Sequence, residues 1–235
     1  MSSCSVFPLL VSLLSAGKTA VIVYEKRELV EIRSLIVDGT LVVGSAGHLQ
    51  YYPEAMEKGK VVVEREGVKI VAERIDPGIP LVVVGSGNIS RVIALTAKDA
   101  GFVTVYLTDS RVRLEGVLTN DLATVEQAVN KETAVVVANE GGREYDIDVV
   151  DKALKRGAWY VGLMASKTRA KMAVEELLRR GHNKDDLKSR LHTPAGLDIG
   201  SRTPGEIAVS ILSEIVALKR GGTFRPMSEV KSPWV

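Results

Sequence analysis

The chain has 235 residues, with 31 Lys plus Arg against 29 Asp plus Glu, three His and a single Cys. A net charge of +2 excludes a surface built to coat nucleic acid or anionic lipid, and 46% hydrophobic with 26% charged residues is the composition of an ordinary globular protein. The lone Cys4 excludes a disulfide framework, no Cys/His cluster exists to hold zinc, and a cytoplasmic protein is expected.

The first apolar stretch, Val6 to Leu14, is too short to span a bilayer, and no Lys or Arg precedes it as in a secretory signal. Its spacing predicts an amphipathic helix with Leu9, Leu10, Leu13 and Leu14 on one face. Thr19 to Tyr24 reads as a strand. Asp38-Gly39 marks a hairpin turn between Leu29–Val37 and Leu41–Val43, and Glu66-Gly67 marks another between Lys60–Glu64 and Val68–Glu73. Residues 1–76 are therefore expected to form a small α+β domain. Asp76-Pro77-Gly78-Ile79-Pro80 is the boundary signal.

Beyond it the texture changes. Leu81–Val84 (LVVV) is a continuous apolar run of the kind buried on both faces of a parallel sheet. A helix over Ile89–Ala100, a strand over Val103–Leu107, a short helix over Thr124–Asn130 and a strand over Thr133–Ala138 follow. Then come a helix over Asp146–Arg156, a strand over Trp159–Met164 and a basic helix over Lys167–Arg180. This alternation predicts an α/β class, a Rossmann-like doubly wound parallel sheet over residues 77–222. Thr203-Pro204-Gly205-Glu206 is a capping box that opens a last helix, and residues 223–235 read as a tail.

The motif that carries chemistry is Gly85-Ser86-Gly87-Asn88, set between the LVVV strand and a helix. Glycines there let a phosphate approach the helix N-terminus, whose free N–H groups and dipole favour an anion. Ser90 replaces the third glycine of the usual pattern. Asp109 ends the next strand, where an acid accepts from a ribose hydroxyl, and Arg111 follows where it could meet a phosphate or an adenine face, or simply be solvated. The same glycines would equally serve a tight turn that binds nothing. Asn139-Glu140-Gly141-Gly142-Arg143 leaves the third strand at the ligand-binding edge of such a sheet. Ser166 caps the basic helix, and Lys167 and Arg169 place positive charge at its start, which a bound anion would explain. No Tyr is followed four residues later by Lys, no GxSxG elbow exists, and the three histidines stand apart. Neither an acid/base pair nor a metal site is evident.

Trp159-Tyr160-Val161-Gly162-Leu163-Met164-Ala165-Ser166-Lys167, Leu191-His192-Thr193-Pro194-Ala195-Gly196-Leu197-Asp198-Ile199-Gly200 and Thr203-Pro204-Gly205-Glu206-Ile207-Ala208-Val209-Ser210-Ile211 together resemble the XdhC/CoxF (CoxI) family over about residues 81–221. The resemblance implies a maturation factor that binds molybdenum cofactor and assists its insertion into the large subunit of xanthine or CO dehydrogenase-type molybdenum hydroxylases. The residues themselves point to binding through Gly85, Ser86, Gly87, Asn88, Asp109, Arg111, Asn139, Glu140, Ser166 and Lys167, with no catalytic or metal-ligating residue. An NAD(P)-dependent oxidoreductase and a nucleotide-sensing module are the alternatives. The chain departs from the family at Asn88, where a histidine is usual, and at Asn139-Glu140-Gly141, where His-Asp-His is common. Ala46-Gly47-His48-Leu49 also supplies no cysteine. For assembly, a twofold homodimer is the commonest soluble arrangement.

Overall fold

The computed structural model describes residues 6–27, 30–107 and 127–232. The chain divides into two compact units, Met1–Gly78 and Ile79–Val235.

In the first unit, helix α1 (Val6–Ser15) precedes strands β1 (Ala20–Arg27), β2 (Val30–Val37) and β3 (Thr40–Val43). A 3-10 turn (Ala46–Tyr51) and α2 (Tyr52–Lys58) lead into β4 (Lys60–Arg65) and β5 (Val68–Ile75). The antiparallel sheet runs β3-β2-β1-β5-β4. Both hairpin turns adopt left-handed pairs, Asp38-Gly39 and Glu66-Gly67, as their sequences require. One face of β1 and β2 packs Ala20, Ile22, Leu35 and Val37 under Val6 and Leu10; the other packs Val21, Val23 and Ile36 with Ala55, Val61 and Ala72. Leu9, expected on the buried face of α1, is 40% exposed. The stripe that meets the sheet is instead Val6, Leu10, Leu13 and Leu14, and Leu9 falls on its edge.

A polar chain crosses this core. Ser45 N–H donates to Ser34 Oγ at 2.9 Å, and Ser34 Oγ lies 2.7 Å from His48 Nδ1. His48 Nε2 lies 2.6 Å from Glu25 Oε2, and Arg27 bonds the other carboxylate oxygen. Because the Glu25 carboxylate can only accept, His48 Nε2 carries a proton towards it, and in the neutral imidazole Nδ1 then accepts the Ser34 hydroxyl proton. The order Ser–His–Glu is that of a hydrolase triad, but Ser34 is fully buried, and a Cβ at Gly44 would stand 2.0 Å from its oxygen. No substrate reaches it, so the chain of bonds holds β1, β2 and the 3-10 turn together. The His48 hydrogen bond, opposed by burial and aided by Arg27, holds the Glu25 carboxyl below its ordinary value of 4.5.

The second unit carries β6 (Pro80–Val84), α3 (Asn88–Asp99), β7 (Val103–Leu107), β8 (Ala134–Val137), α4 (Asp146–Lys155) and β9 (Tyr160–Leu163). It continues with α5 (Lys167–Arg179), α6 (Lys184–Arg190), β10 (Leu191–His192), α7 (Pro204–Arg220) and α8 (Met227–Val230). The sheet order is β7-β6-β8-β9-β10, with every described pair parallel. Successive valines of each strand point to opposite faces. Val82, Val84, Val135 and Val137 meet α4 and α5, while Leu81, Val83, Ala134 and Val136 meet α3 and α7. The apolar runs LVVV and AVVV are thus explained by helices on both sides. The capping box forms as expected: Thr203 Oγ1 accepts from Glu206 N–H, Glu206 accepts from Thr203 N–H, and Gly221 closes α7 in a left-handed conformation. α6 and β10 have no counterpart in the sequence-based expectation, because a seven-residue charged helix and a two-residue strand carry too little periodicity. Of the expected helix over 124–130, Gln127 and Ala128 are helical and residues 124–126 lie outside the described residues, as does Trp234. Within the segment expected as a tail, Met227–Val230 forms one helical turn. No helix among the described residues is long and apolar enough to cross a membrane.

Removing Glu25 strands a buried imidazole, so Glu25→Ala should lower stability by about 1–3 kcal/mol. The check is the denaturant midpoint of the first unit's transition, and an unchanged midpoint would show that the polar chain contributes nothing.

Candidate functional site

In a sheet whose order is second-first-third-fourth-fifth, chain direction over the faces reverses between the first and third strands, here β6 and β8. Loops leaving their C-terminal ends diverge and open a crevice. Both loops of interest leave there: Gly85–Gly87 after β6, and Asn139–Tyr145 after β8.

The β6–α3 turn is tight. A Cβ at Gly85 would sit 2.5 Å from the Ala138 carbonyl oxygen and 2.7 Å from Ser90 Cβ, so only glycine passes between β8 and α3. Ser90, in the place of the third glycine, is buried. Its hydroxyl donates to the Gly87 carbonyl at 2.9 Å and lies 3.2 Å from the Tyr106 hydroxyl, which knits the turn to β7. Gly87 caps α3 without a side-chain acceptor, and Asn88 is exposed at the helix start.

The acceptor comes instead from the neighbouring loop. Glu140 Oε1 accepts from Ile89 N–H at 3.0 Å, and a Cβ at Gly87 would lie 3.0 Å from the Glu140 carboxyl. An internal carboxylate therefore occupies the place where the helix N-terminus would receive a phosphate oxygen. Glu140 is exposed and is followed by two left-handed glycines, Gly141 and Gly142.

Asn139 pins the two loops. Buried at the end of β8, it accepts Ser86 N–H at 3.1 Å through Oδ1 and donates through Nδ2 to Asp146 Oδ1 at 2.7 Å. Asp146, in the first turn of α4, accepts the Arg143 amide at 3.0 Å and the Arg169 guanidinium at 3.2 Å through its other oxygen. The Arg143 guanidinium reaches Ser86 Oγ at 3.3 Å. Ser166 caps α5 by accepting from Arg169 N–H, and Lys167 lies exposed in the first turn with no acidic partner among the described residues.

Gly85, Ser86, Gly87, Asn88, Asn139 and Glu140 are thus brought together at the switch point, with Ser166 and Lys167 at the start of α5 beyond β9. Asp109 and Arg111 lie outside the described residues. The basic character of α5 is smaller than its sequence implies. Arg169 pairs with Asp146, Lys171 with Glu175, Arg179 with Glu176, and Arg180 with Glu176 and Asp148. The sequence puts Arg143 in the loop at the ligand-binding edge but gives its side chain no role; a lone arginine after a glycine pair has no evident partner until the fold sets it beside Ser86. No group of three or more potential metal ligands forms among the described residues.

A second polar cluster holds the loop after β10. Glu214 on α7 accepts the Tyr160 hydroxyl at 2.6 Å and Gly196 N–H at 2.9 Å, and lies 3.1 Å from His192 Nδ1. The Tyr160 and His192 rings stack at 4.4 Å. Ser210, one helical turn earlier, donates to the Leu197 carbonyl at 2.6 Å, and Gly196 (φ +105) lies so close that a Cβ would meet Ser210 Oγ at 2.5 Å. Burial alone would raise the Glu214 carboxyl, but bonds from His192, Tyr160 and Gly196 outweigh it and hold it below 4.5. Burial, with the negative charge of Glu214, pushes the Tyr160 phenol well above its ordinary value. A carboxyl depressed in the folded state stabilises above its unfolded value and loses that stabilisation as pH falls through the folded one. Glu214→Gln should therefore lower stability at neutral pH and flatten the fall in stability below pH 4.5, read from denaturation midpoints across an acid series. A fall in the variant as steep as in the parent would remove Glu214 from the account.

Among known families, the XdhC Rossmann domain matches residues 81–215, which is more than half of the chain and includes every described site residue. The uncharacterized protein YqeB of Escherichia coli (strain K12) is 29% identical over 164 residues, 65% of this chain and 30% of that protein. A probable xanthine dehydrogenase subunit of Bacillus subtilis (strain 168) is 28% identical over 160 residues, 63% of this chain and 45% of that one. The chain thus spans less than half the length of either relative. A solved structure of a xanthine dehydrogenase from Bacillus halodurans shares the fold, with a TM-score of 0.61 at 21% identity over 94% of this chain and 67% of that one. Order of strands, switch-point loops and the long match agree: the chain belongs to the XdhC Rossmann-domain family.

Proposed function

We propose that the chain is an accessory factor for molybdenum hydroxylases of the xanthine and CO dehydrogenase type, which binds molybdenum cofactor and assists its transfer to the client's large subunit. The observation that carries this reading is the XdhC match over the very residues that build the switch-point crevice. The similarity to the Bacillus subtilis protein named as a probable xanthine dehydrogenase subunit supports the same client class.

The residues present fit a phosphorylated cofactor. The start of α3 already receives a carboxylate from Glu140, so its geometry suits an anion, and with no Cβ on Gly87 a phosphate could take the place that carboxylate holds. Arg143 has no carboxylate partner for its guanidinium among the described residues, and Lys167 has none either. Ser86, Gly87, Asn88 and the Ile89 amide would hold the phosphate, with Arg143 supplying charge. When bound, the cofactor itself supplies the redox chemistry of the client enzyme. The chain's own residues bind, orient and release. Tyr160, His192 and Glu214 are committed to one another, which supports a binding role over proton transfer at that end of the sheet.

A phosphate must displace the Glu140 carboxylate. Glu140→Gln removes the like charge at an exposed position, where two unit charges at contact interact by about 1 kcal/mol, so phosphate-bearing ligands should bind roughly fivefold tighter. Gly87→Val should abolish binding by filling the phosphate position. Thermal shift with molybdenum cofactor, NAD, NADP and ATP reads both, since saturation at about 100 times the dissociation constant adds about 2.7 kcal/mol. A shift with NAD and none with molybdenum cofactor would overturn the accessory reading in favour of a nicotinamide-dependent one. Co-purification with a molybdenum hydroxylase large subunit is the complementary test.

A further inference from the structure

A cavity of about 500 Å³ lies between α4 and α5 at the end of β9. Its apolar lining is Ile147, Leu163, Ala173 and Met172, the last 63% exposed although large and hydrophobic. Its charged lining is nearly self-cancelling. Arg169 faces Asp146 at 3.2 Å, Arg179 faces Glu176 at 2.7 Å, and Glu175 faces Lys171 at 3.9 Å. Arg143 differs: its guanidinium has no carboxylate partner among the described residues and bonds Ser86 Oγ at the glycine turn. Arg143 therefore belongs to both places, the turn and the cavity wall.

Arg169 of the lining is packed against the loop after β8, where the backbone is left-handed. Gly142 (φ +80) passes so near Arg169 that a Cβ would stand 2.2 Å from its guanidinium. The volume is that of a small-molecule site, roughly 300–1,000 Å³. A phosphate alone would not suit it, because most of its cations are already paired and its floor is apolar. A flat ring would suit it: thioether and guanidinium groups both stack on aromatic faces, and paired arginines at the rim still offer N–H groups to ring oxygens and nitrogens.

We infer that this cavity is the second half of the ligand site, taking the ring end of a phosphorylated heteroaromatic molecule whose phosphate lies at the Gly85–Gly87 turn, with Arg143 gripping the phosphate between them. The inference rests on the anion-binding reading of that turn and adds where the ring goes. It places the ring on the β9 side of the switch point, opposite the β7 side, where Asp109 and Arg111 would have drawn it from the sequence pattern.

The test is a fluorescence titration of the full chain with a pterin monophosphate, with the same pterin lacking phosphate, and with ATP. Arg143→Gln should weaken the pterin monophosphate by about tenfold or more and leave the unphosphorylated pterin unmoved, as expected for loss of a charge-assisted bond. Met172→Gln should weaken both pterins roughly fivefold through loss of the thioether–ring contact, with an unchanged melting temperature showing the variant folded. If Gly87→Val abolishes binding of the pterin monophosphate while Met172→Gln and Arg143→Gln titrate as the parent, the cavity inference falls and the turn stands. Should ATP bind and the pterins not, Met172→Gln against ATP decides in the same way. Should no phosphorylated probe bind the parent chain, both the turn reading and the cavity inference are overturned.

Discussion

Asn139 is a short side chain at the end of β8 that satisfies, from one buried position, groups on two loops and a helix. Its oxygen takes the Ser86 amide and its nitrogen reaches Asp146, which in turn takes the Arg143 amide and the Arg169 guanidinium. A parallel sheet leaves the loops at its C-terminal edge without a ladder of their own, and every buried amide there needs another partner. Because Asn139 and Asp146 provide those partners, the glycine turn, the Gly141–Gly142 loop and the start of α5 hold one arrangement. Everything proposed for the crevice depends on that arrangement, since neither the placing of Glu140 over Gly87 nor the reach of Arg143 to Ser86 survives if the loops drift apart.

The far end of the sheet solves the same problem with different atoms. β10 contributes only Leu191 and His192 to the sheet, too little to fix the loop that follows. α7 does it instead, through Glu214 to Gly196, Tyr160 and His192, and through Ser210 to Leu197. Segments separated in sequence, Leu191–Gly200 and the helix after Thr203, are therefore one structural unit. Their joint resemblance to the XdhC family has a physical basis: Gly196 must lack a side chain because Ser210 is there.

Much of this was legible in the residues. Continuous valine runs announced strands covered on both faces, Asp38-Gly39 and Glu66-Gly67 announced their turns, and Thr203 to Glu206 announced the start of α7. The glycine turn was legible in kind, since its position between strand and helix needs no tertiary knowledge. Its true acceptor was not: Glu140 lies about fifty residues away, and only strand order brings β8 beside β6. For the same reason the charges on α5 read as a basic helix, although Asp146 and Asp148 on α4 neutralise Arg169 and Arg180. The Ser34–His48–Glu25 chain was likewise hidden, because its members sit on three separate elements of the first unit. Leu9 failed for a local reason: four leucines cannot all face one sheet, and the side chains of Val6 and Leu10 fix which stripe does.

The carboxylate at the start of α3 has a kinetic meaning for any protein that must part with what it binds. A site with free amides would hold an anion until thermal motion released it, and tight binding would then mean slow release. In the proposed role, Glu140 displaced by a phosphate would stay tethered at the rim, at an effective concentration set by a few bonds, and would compete to reclaim the Ile89 amide as the phosphate loosens. In that role, residence time would be shortened from within the chain. A carrier built this way can recognise its cargo through many contacts and still surrender it to an acceptor.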